Sequence, residues 1–322
     1  MDSLKRALRR IFLPLPEGIR KNFSSPGGDG LRAVEAALRS HYFSGFPPGY
    51  LDTEAGRKDW QDHLRLRLQG TREIIIPWLA SVRPLAGARI LEIGCGTGSS
   101  TVPLAEQGAL VTAVDIDEGS LRVAEARARA YGQTARFLCA NAQAAGELGQ
   151  GWDLVIFFAC LEHMTYAERL AALAGHWRAL SSGACLVVIE TPNRLWYHDS
   201  HTWSLPFIDW LPDELAYDYS SRSQRPHLNA LYRSTDQPKR LEDFYRKGRG
   251  ASFHEFELAL GSLQGIPVAG RLHAFHRRKN PHLGLKWRFS RGRRYQQFLR
   301  RACPGIDPCF FEEYLDFALR KP

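Results

Sequence analysis

The chain is poor in several features that would have placed it quickly. It has only six cysteines and two methionines in 322 residues, and no two cysteines stand in C-x2-C spacing. A set this sparse excludes a small disulfide-stapled scaffold. Cys303 and Cys309 enclose five residues, which is not a zinc-ligand spacing. The other four lie in or beside apolar, strand-like stretches, where free cysteine behaves as a small hydrophobe, so a reducing, cytoplasmic compartment is expected. Long apolar runs are also missing. The best is about eight residues, against the roughly 20 needed to cross a bilayer. The N-terminus is basic but is followed by no apolar segment of signal-peptide length. Acidic residues are absent from one long stretch, residues 271–301, which holds eleven Lys and Arg.

The rest of the composition belongs to a folded chain. Apolar residues make up 44%, and 8 Trp, 11 Tyr and 17 Phe supply enough buried area to offset ordering entropy, which excludes a disordered chain. The net charge is +9, so the charge of 271–301 exceeds that of the whole chain and the remainder is slightly acidic. A second basic cluster, Lys5, Arg6, Arg9 and Arg10, is interleaved with Leu4, Leu8, Ile11 and Phe12 at helical spacing. It reads either as a docked terminal helix or as an amphipathic helix at an anionic membrane surface.

Helical periodicity runs through residues 53–83. The pattern then alternates: strand-like runs at 88–93, 109–114, 136–139, 152–158 and 185–190, with helical stretches from 99, over 121–131 and over 166–180. Uninterrupted apolar strands between helices are buried on both faces, so the expected fold is α/β, a doubly wound, Rossmann-like, mostly parallel sheet. Residues 1–85 are expected to form an N-terminal helical extension or lid, with Tyr50, Asp59 and His63 as lid candidates. The core spans 86–195. An insertion after the fifth strand, 196–250, covers the site, and 251–322 returns to the core with a helix at 252–263, a strand at 267–275 and a terminal strand around 310–320. The aromatics of the insertion, Trp196, Tyr197, Trp203, Phe207, Trp210, Tyr217 and Tyr219, form either a small core or a stacking wall for an acceptor.

The most informative stretch is Arg89-Ile-Leu-Glu-Ile-Gly-Cys-Gly-Thr-Gly-Ser-Ser-Thr101. A strand runs into Gly94, Gly96 and Gly98 and then into a helix, so the backbone can take positive φ and a ligand can approach it closely. The G-x-G-x-G spacing differs from the G-x-G-x-x-G of dinucleotide sites. Glu92 stands two residues before the first glycine, a poor neighbour for a pyrophosphate and a good one for a cation. The second strand ends at Asp115, placed to accept ribose hydroxyls.

Together with Val114-Asp115, Trp152-Asp153-Leu-Val-Ile and Leu161-Glu162-His163, this segment resembles the class I S-adenosylmethionine-dependent methyltransferases over about residues 86–195. The resemblance implies S-adenosylmethionine as cofactor, with Glu92, Gly94, Cys95, Gly96 and Gly98 around its methionine part and ribose. It also implies Asp115 on the ribose hydroxyls, Ile116 against the adenine, Asn141 and Ala142 where the family often has an acid for the adenine amino group, and Ala159 bordering the sulfonium.

Methyl transfer from a sulfonium is an in-line displacement, so the protein must align the acceptor and exclude water. A hydroxyl acceptor also needs a base. His201, then His198, with Asp199 between them, are the candidates in the insertion; Glu162-His163 is a second pair and His254-Glu255 a third. The N/D-P-P-Y/F motif that grips nucleobases is missing, the chain reading Phe158-Ala159-Cys160-Leu161 after the fourth strand, so nucleic acid is not the expected acceptor. The expected reaction is O-methylation of a small-molecule or glycan hydroxyl, with no metal in the site. The alternatives are N- or C-methylation of a lipid-like or quinone acceptor, or, in another class, RNA, polyanion or membrane-surface binding through 271–301.

Overall fold

The computed structural model describes residues 19, 23–144, 147–225 and 239–322. The basic amphipathic stretch expected at residues 4–12 lies outside them.

The strands are β1 (Arg89–Ile93), β2 (Leu110–Asp115), β3 (Arg136–Cys139), β4 (Leu154–Phe158), β5 (Cys185–Pro192), β6 (Val268–Arg271) and β7 (Tyr314–Arg320). They form one sheet in the order β3-β2-β1-β4-β5-β7-β6. The first five are parallel, and β7 runs antiparallel to both β5 and β6. Each strand sends alternate side chains to opposite faces. Val155 and Phe157 join Leu91, Ile93, Leu186 and Val188 in the cluster with Leu173, Trp177 and Phe256. Leu154 and Ile156 join Ile90, Val111, Val187 and Ile189 in the cluster with Trp78, Leu79 and Leu104. Two-sided burial is why these strands read as unbroken apolar runs.

Strand order reverses at β1, which has β2 on one side and β4 on the other. A doubly wound sheet opens a crevice beyond its carboxyl ends at such a point. The helix after β2, Glu118–Ala130, starts from Asp117, whose carboxylate accepts the N–H groups of Gly119 and Ser120. The helix after β4, Tyr166–Ala179, starts with a reciprocal capping box between Thr165 and Glu168.

One element differs in kind from expectation. The strand expected over 267–275 stops at Arg271, and Leu272–Lys279 is helical. From Leu272 onward the spacing of Leu272, Phe275 and His276 is helical. Its last turn holds His276, Arg277, Arg278 and Lys279, where positive charge complements the helix dipole. The helical run expected at 53–83 is present as consecutive segments from Glu54–Gln61 to Ile76–Val82.

The insertion has its own small core: Trp203, Leu205, Ile208, Ala216, Tyr217 and Phe244. Trp196 and Tyr197 pack edge-on against Tyr295. None of the seven aromatics offered as a stacking wall lines the main cavity. A chain segment this short can bury a tryptophan only by assembling a core around it, and that use takes precedence here. Two buried arginines hold the insertion, Arg169 tying its end to the core and Arg249 bracing it from within. Arg169 pairs with Glu255 at 2.7 Å and donates to the carbonyls of Leu161, Arg249 and Gly250. Arg249 pairs with Asp209 at 3.0 Å and Asp213 at 3.1 Å.

Candidate active site

A cavity of about 950 Å³ opens at the carboxyl ends of the strands. Its floor is the glycine turn. Gly94, Gly96 and Gly98 all have positive φ (79°, 49° and 76°), but the space beside them differs. A Cβ on Gly94 would meet Cys160 Cβ at 2.6 Å, and one on Gly98 would meet Ala124 Cα at 2.9 Å. Those two glycines serve close packing. A Cβ on Gly96 would meet nothing within 4 Å, so only there does the missing side chain leave space open. Gly96 N–H donates to Asp115 Oδ2 at 2.8 Å, and the other carboxylate oxygen accepts from Asp117 N–H at 3.0 Å. The turn and the end of β2 are thus one braced unit.

Of the residues singled out from sequence, Gly94, Cys95, Gly96, Asp115, Ile116, Asn141, Ala142, Ala159, His163 and His201 all line this cavity. Gly98, Glu92, Glu162, His198 and His254 do not. Glu92 departs from its expected role as partner of a cation. It is completely buried, its carboxylate accepts from the hydroxyls of Ser100 and Thr101, and burial pushes it up to about 7. It ties β1 to the start of helix Thr101–Glu106. His198 is held in a bridge with Pro206. His254 stacks on Phe253 and contacts Ser252, while Glu255 is taken by Arg169.

Asp199 does not orient a histidine ring. Its carboxylate accepts the backbone N–H groups of His201, Thr202 and Trp203 and so shapes the loop. The group facing the histidines is instead Glu162. Its Oε1, buried and without a hydrogen bond, lies 4.0 Å from His201 Nε2 and 3.9 Å from His163 Nε2. Burial pushes the Glu162 carboxyl up to about 8. Burial, then the neighbouring His163, holds His201 down to about 4, and burial also lowers His163.

The partners fix the tautomers. His163 Nδ1 lies 3.0 Å from the carbonyl oxygen of Arg246, so Nδ1 carries the proton and Nε2 is bare. His201 Nδ1 lies 2.9 Å from the Thr202 hydroxyl, which itself donates to the Lys247 carbonyl. That hydroxyl therefore accepts from Nδ1–H, and His201 Nε2 is bare too.

The far wall was not read from the sequence. Glu190, at the irregularity of β5 between Val188 and Thr191, takes a left-handed backbone (φ 60°), its N–H donating to Asp316 Oδ1 at 2.6 Å. Asp316 also stands 2.9 Å from His273 Nε2. Burial acts to lower His273, but the Asp316 carboxylate outweighs it and the net displacement is upward. Ala159, at the end of β4, is likewise left-handed (φ 45°). Such residues cost about 1–3 kcal/mol each and concentrate at functional sites.

The roof comes from the N-terminal helices: Tyr42, His63, Leu66, Arg67 and Ile74 line the cavity. Of the other lid candidates, Tyr50 donates to Asp59, and neither lines it. The buried Arg127 holds roof to floor. It donates to the carbonyls of His63 (2.6 Å), Leu64 (3.2 Å) and, in the glycine turn, Thr97 (2.8 Å). Replacing Arg127 by leucine strands these buried acceptors and should cost about 3–5 kcal/mol. Urea denaturation would measure it, and a loss below about 1 kcal/mol would show that Arg127 does not join the two parts.

Residues 90–183 match the protein family described as "Methyltransferase domain". That stretch is therefore similar to a methyltransferase domain. Among curated relatives, the domain is 38% identical over 111 residues to a ubiquinone biosynthesis O-methyltransferase of Ruegeria sp., covering 34% of this chain and 44% of that protein. It is 33% identical over 124 residues to a magnesium-protoporphyrin O-methyltransferase of Synechocystis sp., covering 38% and 52%. A crystal structure of magnesium protoporphyrin IX methyltransferase from Synechocystis with bound S-adenosylmethionine covers 53% of this chain and 80% of that one, at 27% identity and a TM-score of 0.38. The chain spans about half the length of the curated relatives it matches. The matched stretch contains the glycine turn, Asp115 and Glu162-His163. It ends before His201, Glu190, His273 and Asp316.

Proposed function

We propose that the protein transfers a methyl group from S-adenosylmethionine to a hydroxyl of a small-molecule acceptor. One observation carries the reading: in the glycine turn at the sheet's switch point, Gly96, whose Cβ position is open where those of Gly94 and Gly98 are blocked, lies beside Asp115, in the same cavity as a histidine with a bare ring nitrogen.

The residues suit this cofactor. The open space at Gly96 admits a ligand against the backbone, Asp115 keeps lone pairs for ribose hydroxyls, and Ile116 offers an exposed apolar surface for a flat ring. When bound, S-adenosylmethionine supplies a methyl group already activated by its sulfonium. The chain's own residues then have three tasks. The turn and Asp115 hold the donor, the roof residues and Arg127 close the space over it, and His201 Nε2 takes the proton as the acceptor oxygen attacks. Relatives named as a ubiquinone biosynthesis O-methyltransferase and a magnesium-protoporphyrin O-methyltransferase support oxygen as the accepting atom.

The reading is tested by supplying donor labelled in the methyl group to a cell extract with the purified protein. Label should pass to one small molecule, and a labelled pool that never changes would refute the reading. In parallel, Asp115→Ala should weaken donor binding by about 1.5–3 kcal/mol, the scale of hydrogen bonds to a charged group. Wild-type affinity by calorimetry would remove Asp115 from the donor site.

A further inference from the structure

Residues 271–301 run from the last residue of β6 through three helices, Leu272–Lys279, Pro281–Arg288 and Arg291–Ala302. Of their eleven basic residues, Arg271 pairs with Asp307 and Arg277 with Glu312. The other nine (Arg278, Lys279, Lys286, Arg288, Arg291, Arg293, Arg294, Arg300 and Arg301) have no acidic partner among the described residues. A solvated face of a folded domain ordinarily mixes the two signs; this one does not.

Large apolar side chains stand among these charges. Phe289 is 78% exposed, Phe298 60% and Leu285 59%. In the last helix the exposed residues Arg291, Arg294, Phe298 and Arg301 follow at spacings of three and four, so one face presents a phenylalanine between arginines. Leu285, on the preceding helix, and Phe289, its C-cap, are four apart. The inner face of the last helix is buried at Gly292, Gln296 and Leu299, so its outer face is held in place rather than free to turn inward.

We infer that this face docks on an anionic lipid bilayer. Its charge complements phosphate headgroups, and its exposed rings and leucine have no polar atom that water would hold back from the acyl boundary. Leu285 has no π-face on which a base could stack, which favours lipid over RNA. The same module reaches the main cavity. Leu272, His273 and His276 line that cavity, and a second hollow of about 350 Å³ begins at His273 and His276 and runs to Lys286, Trp287 and Ser290. Docking would set this wall of the cavity against the membrane surface. The inference concerns binding and does not depend on the transfer reaction.

The test is co-sedimentation of the full chain with vesicles of phosphatidylcholine alone and of phosphatidylcholine with phosphatidylglycerol. Binding is expected only to the anionic vesicles, weakening steeply as salt is added. Each of Arg291→Gln, Arg294→Gln and Arg301→Gln should weaken it about fivefold, and the triple variant about 100-fold. Phe289→Ser with Phe298→Ser should weaken it while leaving the salt dependence unchanged. All variants should bind S-adenosylhomocysteine as the parent does, since none of these residues lines the main cavity. Equal binding to neutral and anionic vesicles, no binding to either, or tight binding to single-stranded RNA without vesicle binding would each overturn the inference.

Discussion

Gly96→Val is expected to abolish donor binding, a loss of at least about 3 kcal/mol, while the protein stays folded. Calorimetric titration with S-adenosylhomocysteine is the measurement. Gly96 has φ 49°, and the Cβ position meets no protein atom within 4 Å. The cost to the protein is therefore confined to a left-handed backbone, about 1–2 kcal/mol, plus the strain of a β-branched side chain there. Everything beyond that cost falls on whatever occupies the space. Gly96→Ala separates the two contributions: the same backbone penalty with a smaller obstruction should leave weak but measurable binding. The neighbouring glycines supply the contrast. Gly98→Ala drives its Cβ to 2.9 Å from Ala124 Cα, backbone that cannot yield cheaply, so it should register in the unfolding midpoint. If Gly96→Val binds as the parent does, the turn does not hold the donor.

The contrast among these glycines also marks how far the sequence was legible. The parallel strands were readable because two-sided burial writes itself as apolar runs, and Leu154 to Phe157 are buried throughout. The glycine turn was readable because few residues tolerate its backbone. Direction was not. Glu92 was expected to face the ligand, but nothing in its position before Gly94 says that the hydroxyls of Ser100 and Thr101, eight and nine residues later, will face it inside the fold. Arg127 looks like any other arginine of helix Glu118–Ala130, yet it is fully buried. Asp316 did leave a trace, a carboxylate in the middle of the apolar strand Tyr314-Leu-Asp-Phe-Ala-Leu. A charge there demands a partner, and β7 lies beside β5, where the partners Glu190 and His273 gather. Those contacts join residues over 80 positions apart or across a strand reversal, which no local pattern encodes.

His201→Ala is expected to lower turnover by roughly 10²–10⁴ with donor affinity unchanged. His273→Ala should instead act chiefly on acceptor KM, because the Asp316 carboxylate stands 2.9 Å from the ring's Nε2 and the ring is displaced toward its charged form. The stronger test is pH. Glu162 has a folded pKa raised to about 8, so it is neutral below that value and charged above it. Neutral Glu162 offers the His201 ring little help in accepting a proton, and His201, held down to about 4, is then a weak base. Once Glu162 ionises, a negative charge stands 4.0 Å from His201 Nε2 and 3.9 Å from His163 Nε2, which stabilises the imidazolium formed when the acceptor gives up its proton. Turnover at saturating donor should therefore rise as pH passes through about 8. Glu162→Gln keeps the shape and removes the charge, so that rise should vanish and turnover stay near its low-pH value. His163→Ala should preserve most of the rise if His201 is the base, and His201→Ala should remove it. A wild-type profile flat across that range, or a Glu162→Gln variant that still rises, would show that the buried carboxyl does not tune either ring.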